Sequence, residues 1–114
     1  MRAIIASGNI FRRELSVYVL HDAGFAIEEV SNTDELLTRV QETAPDIALL
    51  DTALVEDPCH ALANLRQLTN APILWIDQVG KLPTTPSNPD HRVGCIRWPY
   101  HPNELISYVK RLMQ

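Results

Sequence analysis

Short apolar runs alternate with helix-period stripes along almost the whole chain, and few architectures accept that alternation. The run Ala3-Ile4-Ile5-Ala6 stops at Ser7-Gly8-Asn9, which reads as a buried strand followed by a turn. Phe11, Leu15, Tyr18 and Val19 then recur at helical spacing, and Gly24 closes that helix. Residues 25–30 alternate apolar with acidic side chains (Ile27, Glu28, Val30), as a second strand does. Asn32 with Glu35 three positions on resembles a capping box ahead of Leu36, Leu37 and Val40, and Pro45 ends that helix. Ile47-Ala48-Leu49-Leu50 is the most apolar short run, as a central parallel strand covered on both faces should be, and it ends at Asp51. Pro58 opens a third helix that would bury Ala61, Leu62 and Leu65. Residues 72–76 form a fourth strand running into Asp77, and residues 93–98 a fifth. Pro102 then starts a final helix with Leu105, Ile106, Val109, Leu112 and Met113 on one stripe.

The rhythm fails only between positions 78 and 92. Pro83, Pro86 and Pro89 fall every third residue there, and a helix interior does not accept three prolines so spaced. Five strands alternating with helices make a doubly wound parallel α/β sheet, with a proline-rich loop expected in place of the fourth of five helices. With 114 residues the chain has room for a single domain, taken as residues 1–114. Sheets of this kind work at the carboxyl ends of their strands, near the point where strand order reverses. Those ends are Ser7-Gly8-Asn9, Asp51, Asp77 and Trp98-Pro99.

Composition excludes several classes. Hydrophobic residues are 46% and charged residues 21%, a balance suited to a packed core rather than to disorder. A formal charge of −4 leaves no concentrated basic surface for nucleic acid. Arg12-Arg13 and Lys110-Arg111 read as solvated helix faces. No apolar run approaches a membrane span, and no signal-peptide layout is evident, so a cytoplasmic protein without membrane contact is expected. Cys59 and Cys95 lack metal-ligand spacing and are expected to be buried free thiols. His21, His60, His91 and His101 are scattered, with His101 or Asn103 placed to cap the last helix.

The ordered strand ends carry a resemblance. Pro45-Asp46-Ile47-Ala48-Leu49-Leu50-Asp51 resembles the third strand of bacterial response-regulator receiver domains, which ends in the phosphoacceptor aspartate. Pro72-Ile73-Leu74-Trp75-Ile76 is similar to their fourth strand. Gly94-Cys95-Ile96-Arg97-Trp98-Pro99-Tyr100 is similar to their fifth strand and the turn into the last helix. With Gly24-Phe25, the similarity extends over nearly the whole chain except residues 78–92. It implies the strand order 2-1-3-4-5 and a cis bond at Pro99.

The resemblance also implies a chemistry. Receivers transfer a phosphoryl group to a carboxylate, and the charge involved is offset by a metal ion, a hydroxyl and a lysine. Here the two metal-binding acid positions match Ser7 and Gly8, the hydroxyl position matches Asp77, and the lysine position matches Trp98. Asp51 alone keeps its type, and no cation evident in the sequence compensates it. The switch aromatic of the fifth strand matches Cys95.

The expected function is therefore that of a non-phosphorylatable pseudo-receiver. Such a module is neither an enzyme nor a cofactor or metal protein, and it acts in bacterial two-component signalling by binding a protein partner or a second copy. The expected surface lies beside the fifth strand and last helix, with exposed apolar groups near Leu82, Val93, Tyr100 and Ile106. The alternative is a receiver phosphorylated on Asp51 with unusual Mg²⁺ ligands. Asp51 and Asp77, helped by Asn9, would be the candidate cation site. A phosphate-binding turn of flavodoxin type at Ser7-Gly8-Asn9 is a weaker reading, because Ile10 and Phe11 follow instead of hydroxyl residues.

Overall fold

A computed structural model describes residues 1–77 and 92–114. The chain runs β1 (Arg2–Ala6), α1 (Ile10–Asp22), β2 (Ala26–Val30), α2 (Thr33–Thr43), β3 (Ile47–Asp51), a short 3₁₀ turn (Thr52–Leu54), α3 (Pro58–Leu68), β4 (Ile73–Asp77), β5 (Val93–Arg97) and α4 (Pro102–Leu112). All five strands are parallel, in the order β2-β1-β3-β4-β5. The expected proline-rich loop lies outside the described residues.

The two-residue period of a strand sorts the core into two layers. Ala3 and Ile5 of β1, Ile47 and Leu49 of β3, Leu74 and Ile76 of β4 and Ile96 of β5 point one way, onto Val19 and Leu20 of α1 and Leu105 and Val109 of α4. Ile4, Ala6, Ala48, Leu50, Ile73 and Trp75 point the other way, onto Leu36 and Val40 of α2 and Leu65 of α3. Every residue of β3 and β4 is buried, which is why those segments read as unbroken apolar runs.

Each helix starts on a side chain that satisfies orphan amides. Asn9 accepts from the Arg12 amide at 3.0 Å, and Asn32 accepts from Glu35 at 2.8 Å. Asp57 caps α3 ahead of Pro58. His101 accepts from the Asn103 amide through Nδ1 at 3.1 Å, while Glu104 accepts from the His101 amide. At the other end of α1, Phe25 donates to Leu20 and Gly24 to His21, with Gly24 at φ 94°, the reciprocal pattern that a left-handed glycine allows.

The structure departs from the sequence reading on α1. Its inner face carries Arg12, Ser16, Val19 and Leu20, whereas Phe11 and Tyr18 are 76% and 73% exposed. Helical spacing identified the helix, but two apolar faces competed, and the one carrying Val19 and Leu20 won the core.

Ala44, the cap of α2, sits in the left-handed region at φ 46° directly before Pro45. That conformation costs an L-residue about 1–2 kcal/mol, and glycine avoids the cost while gaining chain entropy worth about 0.4–1 kcal/mol when unfolded. Ala44→Gly is expected to stabilise the fold by up to about 1 kcal/mol. Urea denaturation should show a higher midpoint at an unchanged slope.

Candidate functional site

At the carboxyl edge of the sheet, β1 and β3 are adjacent and deliver Ser7 and Asp51 to the same place. Both are 1% exposed, so the Asp51 carboxylate must find its partners within the protein. It finds three. Arg12, in the first turns of α1, brings its Nε to 2.6 Å from Oδ2. The Ser7 hydroxyl donates to the same oxygen at 2.9 Å, and the Ala53 amide donates to Oδ1 at 3.0 Å. The Arg12 side chain is 8% exposed, so the guanidinium–carboxylate pair is closed to solvent.

Local sequence places each donor. The Ser7-Gly8-Asn9 turn leads β1 into α1, and the Asn9 cap sets the phase of the first helical turns. Arg12 is thereby turned inward and Arg13 is left half-buried, pairing with Glu29 at 3.2 Å and donating to the Ser7 carbonyl at 3.0 Å. Past Asp51 the chain tightens into the 3₁₀ turn, which aims the Ala53 amide back at the carboxylate.

A second buried acid lies one strand along. Asp77, 2% exposed at the end of β4, accepts from the Thr52 hydroxyl at 3.0 Å. The same hydroxyl lies 3.3 Å from the Ile76 carbonyl. Asp51 and Asp77 are thus served by separate donors.

The other strand-end residues form a structural corner. The Trp98–Pro99 bond is cis, and Trp98 meets Tyr100 edge to face with ring centroids 5.2 Å apart. Tyr100 is 6% exposed, and its hydroxyl lies 2.7 Å from that of Ser16 on α1. Burial pushes the Tyr100 phenol above its ordinary range, and the bond to Ser16 opposes this.

Several expectations are corrected here. Arg12 is not a solvated surface cation; it supplies the compensation for Asp51 that the sequence did not reveal. At the cation site considered for Asp51, Asp77 and Asn9, each residue already accepts from a protein donor, Asn9 from the Arg12 amide, Asp51 from Ser7 and Asp77 from Thr52. Tyr100 does not belong to an exposed patch, because its ring packs under Trp98. Val93 and Ile106 are half-buried, and Leu82 lies outside the described residues. Cys59 and Cys95 are exposed rather than buried. His21 and His60 are surface residues, His101 is a cap, and His91 lies outside the described residues.

No family model and no curated protein matches the chain. Solved structures do. The receiver domain of the hybrid histidine kinase CckA superposes with a TM-score of 0.80 at 19% identity, covering 100% of both chains. A putative response regulator from Chloroflexus aurantiacus gives 0.82 at 23% identity, over 98% of this chain and 96% of that one. A response regulator receiver protein from Sinorhizobium medicae gives 0.83 at 21%, over 99% and 94%.

The chain has the receiver fold.

The divalent cation that receivers use does not fit the residues present. Both Asp51 oxygens already accept from protein donors. A metal ion would have to expel a buried guanidinium to reach them. Among the described residues, no three acidic, histidine or cysteine side chains converge on one point.

Three outcomes test this geometry. Arg12→Met strands a buried carboxylate and should cost about 3–5 kcal/mol, whereas Arg12→Met with Asp51→Leu should recover most of that loss. Chemical denaturation of the four members of the cycle measures it. The folded Tyr100 phenol titrates above its unfolded value, so its contribution is fully present below pH 10.0 and fades as the pH rises beyond it. Tyr100→Phe should therefore flatten the loss of stability in alkali, read from thermal melts in a pH series. Although Cys95 lies at the surface, partial desolvation of its thiol pushes it up, followed by Asp77, against a smaller opposing pull from Arg97. Asp77→Asn should thus speed iodoacetamide modification of Cys95 at pH 8, followed by peptide mass mapping.

Proposed function

We propose that this chain is a signalling module of a bacterial two-component system that keeps the receiver fold and works without phosphoryl transfer. One observation carries the reading: the Arg12 guanidinium lies on the carboxylate oxygen that a phosphoryl donor and a metal ion would need. Nucleophilic attack requires an exposed carboxylate with an uncommitted lone pair, and in-line transfer requires cations around the transferred group. At Asp51, Oδ2 accepts from both Arg12 and Ser7, Oδ1 accepts from the Ala53 amide, and the carboxylate is 1% exposed. The resident cation neutralises the acceptor instead of the phosphoryl group.

On this reading the site is a structural keystone and the output is protein binding by a cytoplasmic, non-enzymatic domain. Nucleic acid is not a direct partner, in keeping with the acidic balance of the chain. The comparisons support the fold of a receiver, and the filled acceptor site supports the loss of its switch. Among the described residues, no helix is long and apolar enough to cross a membrane.

Incubation with acetyl phosphate and Mg²⁺, followed by intact mass spectrometry, tests the proposal. The expected spectrum shows the unmodified mass alone, and beryllofluoride should leave the amide spectrum around Asp51 unchanged. A phosphoryl adduct that disappears in Asp51→Asn would overturn the reading.

A further inference from the structure

Besides its apolar core contacts at Val19 and Leu20, helix α1 turns polar groups inward and large apolar groups outward. Its buried face includes a charged residue and a hydroxyl, Arg12 and Ser16, while its solvent face carries Ile10, Phe11 and Tyr18 at 52%, 76% and 73% exposure. Apart from Met1, these are the large hydrophobic residues exposed among the described residues. Phe11 and Tyr18, with Leu15 at the flank where the stripe meets the core it also packs on, are spaced by four and three residues, the interval of a helix–helix seam. A surface helix normally shows the reverse pattern, and an apolar stripe turned to water marks a contact.

We propose that a second copy of this chain covers the stripe, with the two α1 helices packed antiparallel about a two-fold axis near Leu15. Two features of the helix favour this occupant. First, the stripe is self-complementary: the two-fold lays Phe11 of one copy on Tyr18 of the other and Leu15 on Leu15, as an isologous contact requires. Second, the end charges of α1 are complementary in that orientation. The first turn has no acidic residue, although the partial positive charge there favours one, and the helix ends on Asp22. Antiparallel pairing sets Asp22 of each copy beside the other copy's Gly8-Asn9 turn, at the amide end of α1. It also opposes the two helix dipoles. Glu14 is exposed on the same face, three residues from Phe11 and four from Tyr18, so the two copies of Glu14 flank the axis and their repulsion weakens the contact.

A contact made by one helix from each copy is smaller than the roughly 1,200 Å² typical of stable complexes, so the dimer is a weak, concentration-dependent one. The inference rests on the burial pattern of α1 and is independent of whether Asp51 accepts phosphate.

Sedimentation velocity of the full chain, from about 10 μM to about 1 mM, spans the range that a contact of this size calls for. The weight-average sedimentation coefficient should rise with concentration in the wild type. Phe11→Glu and Asp22→Lys should each raise the dissociation constant at least about tenfold without lowering the thermal melt, since both side chains are exposed and each new charge complements the helix dipole. Lys110→Glu, on the exposed side of α4, should leave association as it was. A wild type that stays monomeric at the highest concentration overturns the proposal. So does association that persists in Phe11→Glu, or that Lys110→Glu abolishes, because either result puts the contact on another face.

Discussion

The Arg12–Asp51 pair is the interaction on which the rest of this edge of the sheet depends. A carboxylate sealed at the end of a central strand is tolerable only when its charge is met on the spot. Meeting it requires α1 to enter with Arg12 turned inward, the β1–α1 turn to bring a hydroxyl, and the chain after β3 to fold back an amide. The turn at Ser7-Gly8-Asn9, the Asn9 cap and the 3₁₀ turn after Asp51 are all shaped by that one demand. All three of these partners belong to the chain.

Buried ion pairs are poor sources of net stability, because desolvating two charges offsets most of their attraction. Their effect lies in specificity: an alternative packing of α1 would strand a charge. The Thr52–Asp77 bond acts in the same sense on the next strand. Each acid is held by its own donors within the chain.

The architecture was legible because its signals are local. Apolar runs bounded by turn residues marked the strands, the uninterrupted apolarity of β3 and β4 marked them as central, and Asn32, Pro58 and Pro102 marked helix starts. The Trp98–Pro99 corner came through resemblance rather than from any physical signal in the residues. The site was only half legible. Asp51, Ser7 and Asp77 stood at strand ends, where the topology directs attention, but Arg12 looked like one half of an ordinary basic pair. Only the rotation of α1 separates it from Arg13, and rotation is settled by packing against the whole sheet. Tyr100 was misjudged for a similar reason, since its hydroxyl partner Ser16 is 84 positions away in sequence.

Arg12 and Ser16 are four residues apart on α1, and each makes a buried polar contact to a different part of the molecule, one to β3 and one to the turn before α4. Greasy contacts allow a helix to roll a little in its seat, because one methyl group can replace another. Directional bonds do not. Turning α1 by a single residue would swing both groups through about 100° and break both bonds together. The helix is seated like a key with two teeth, and the direction in which its outer face points is as well defined as the core beneath it.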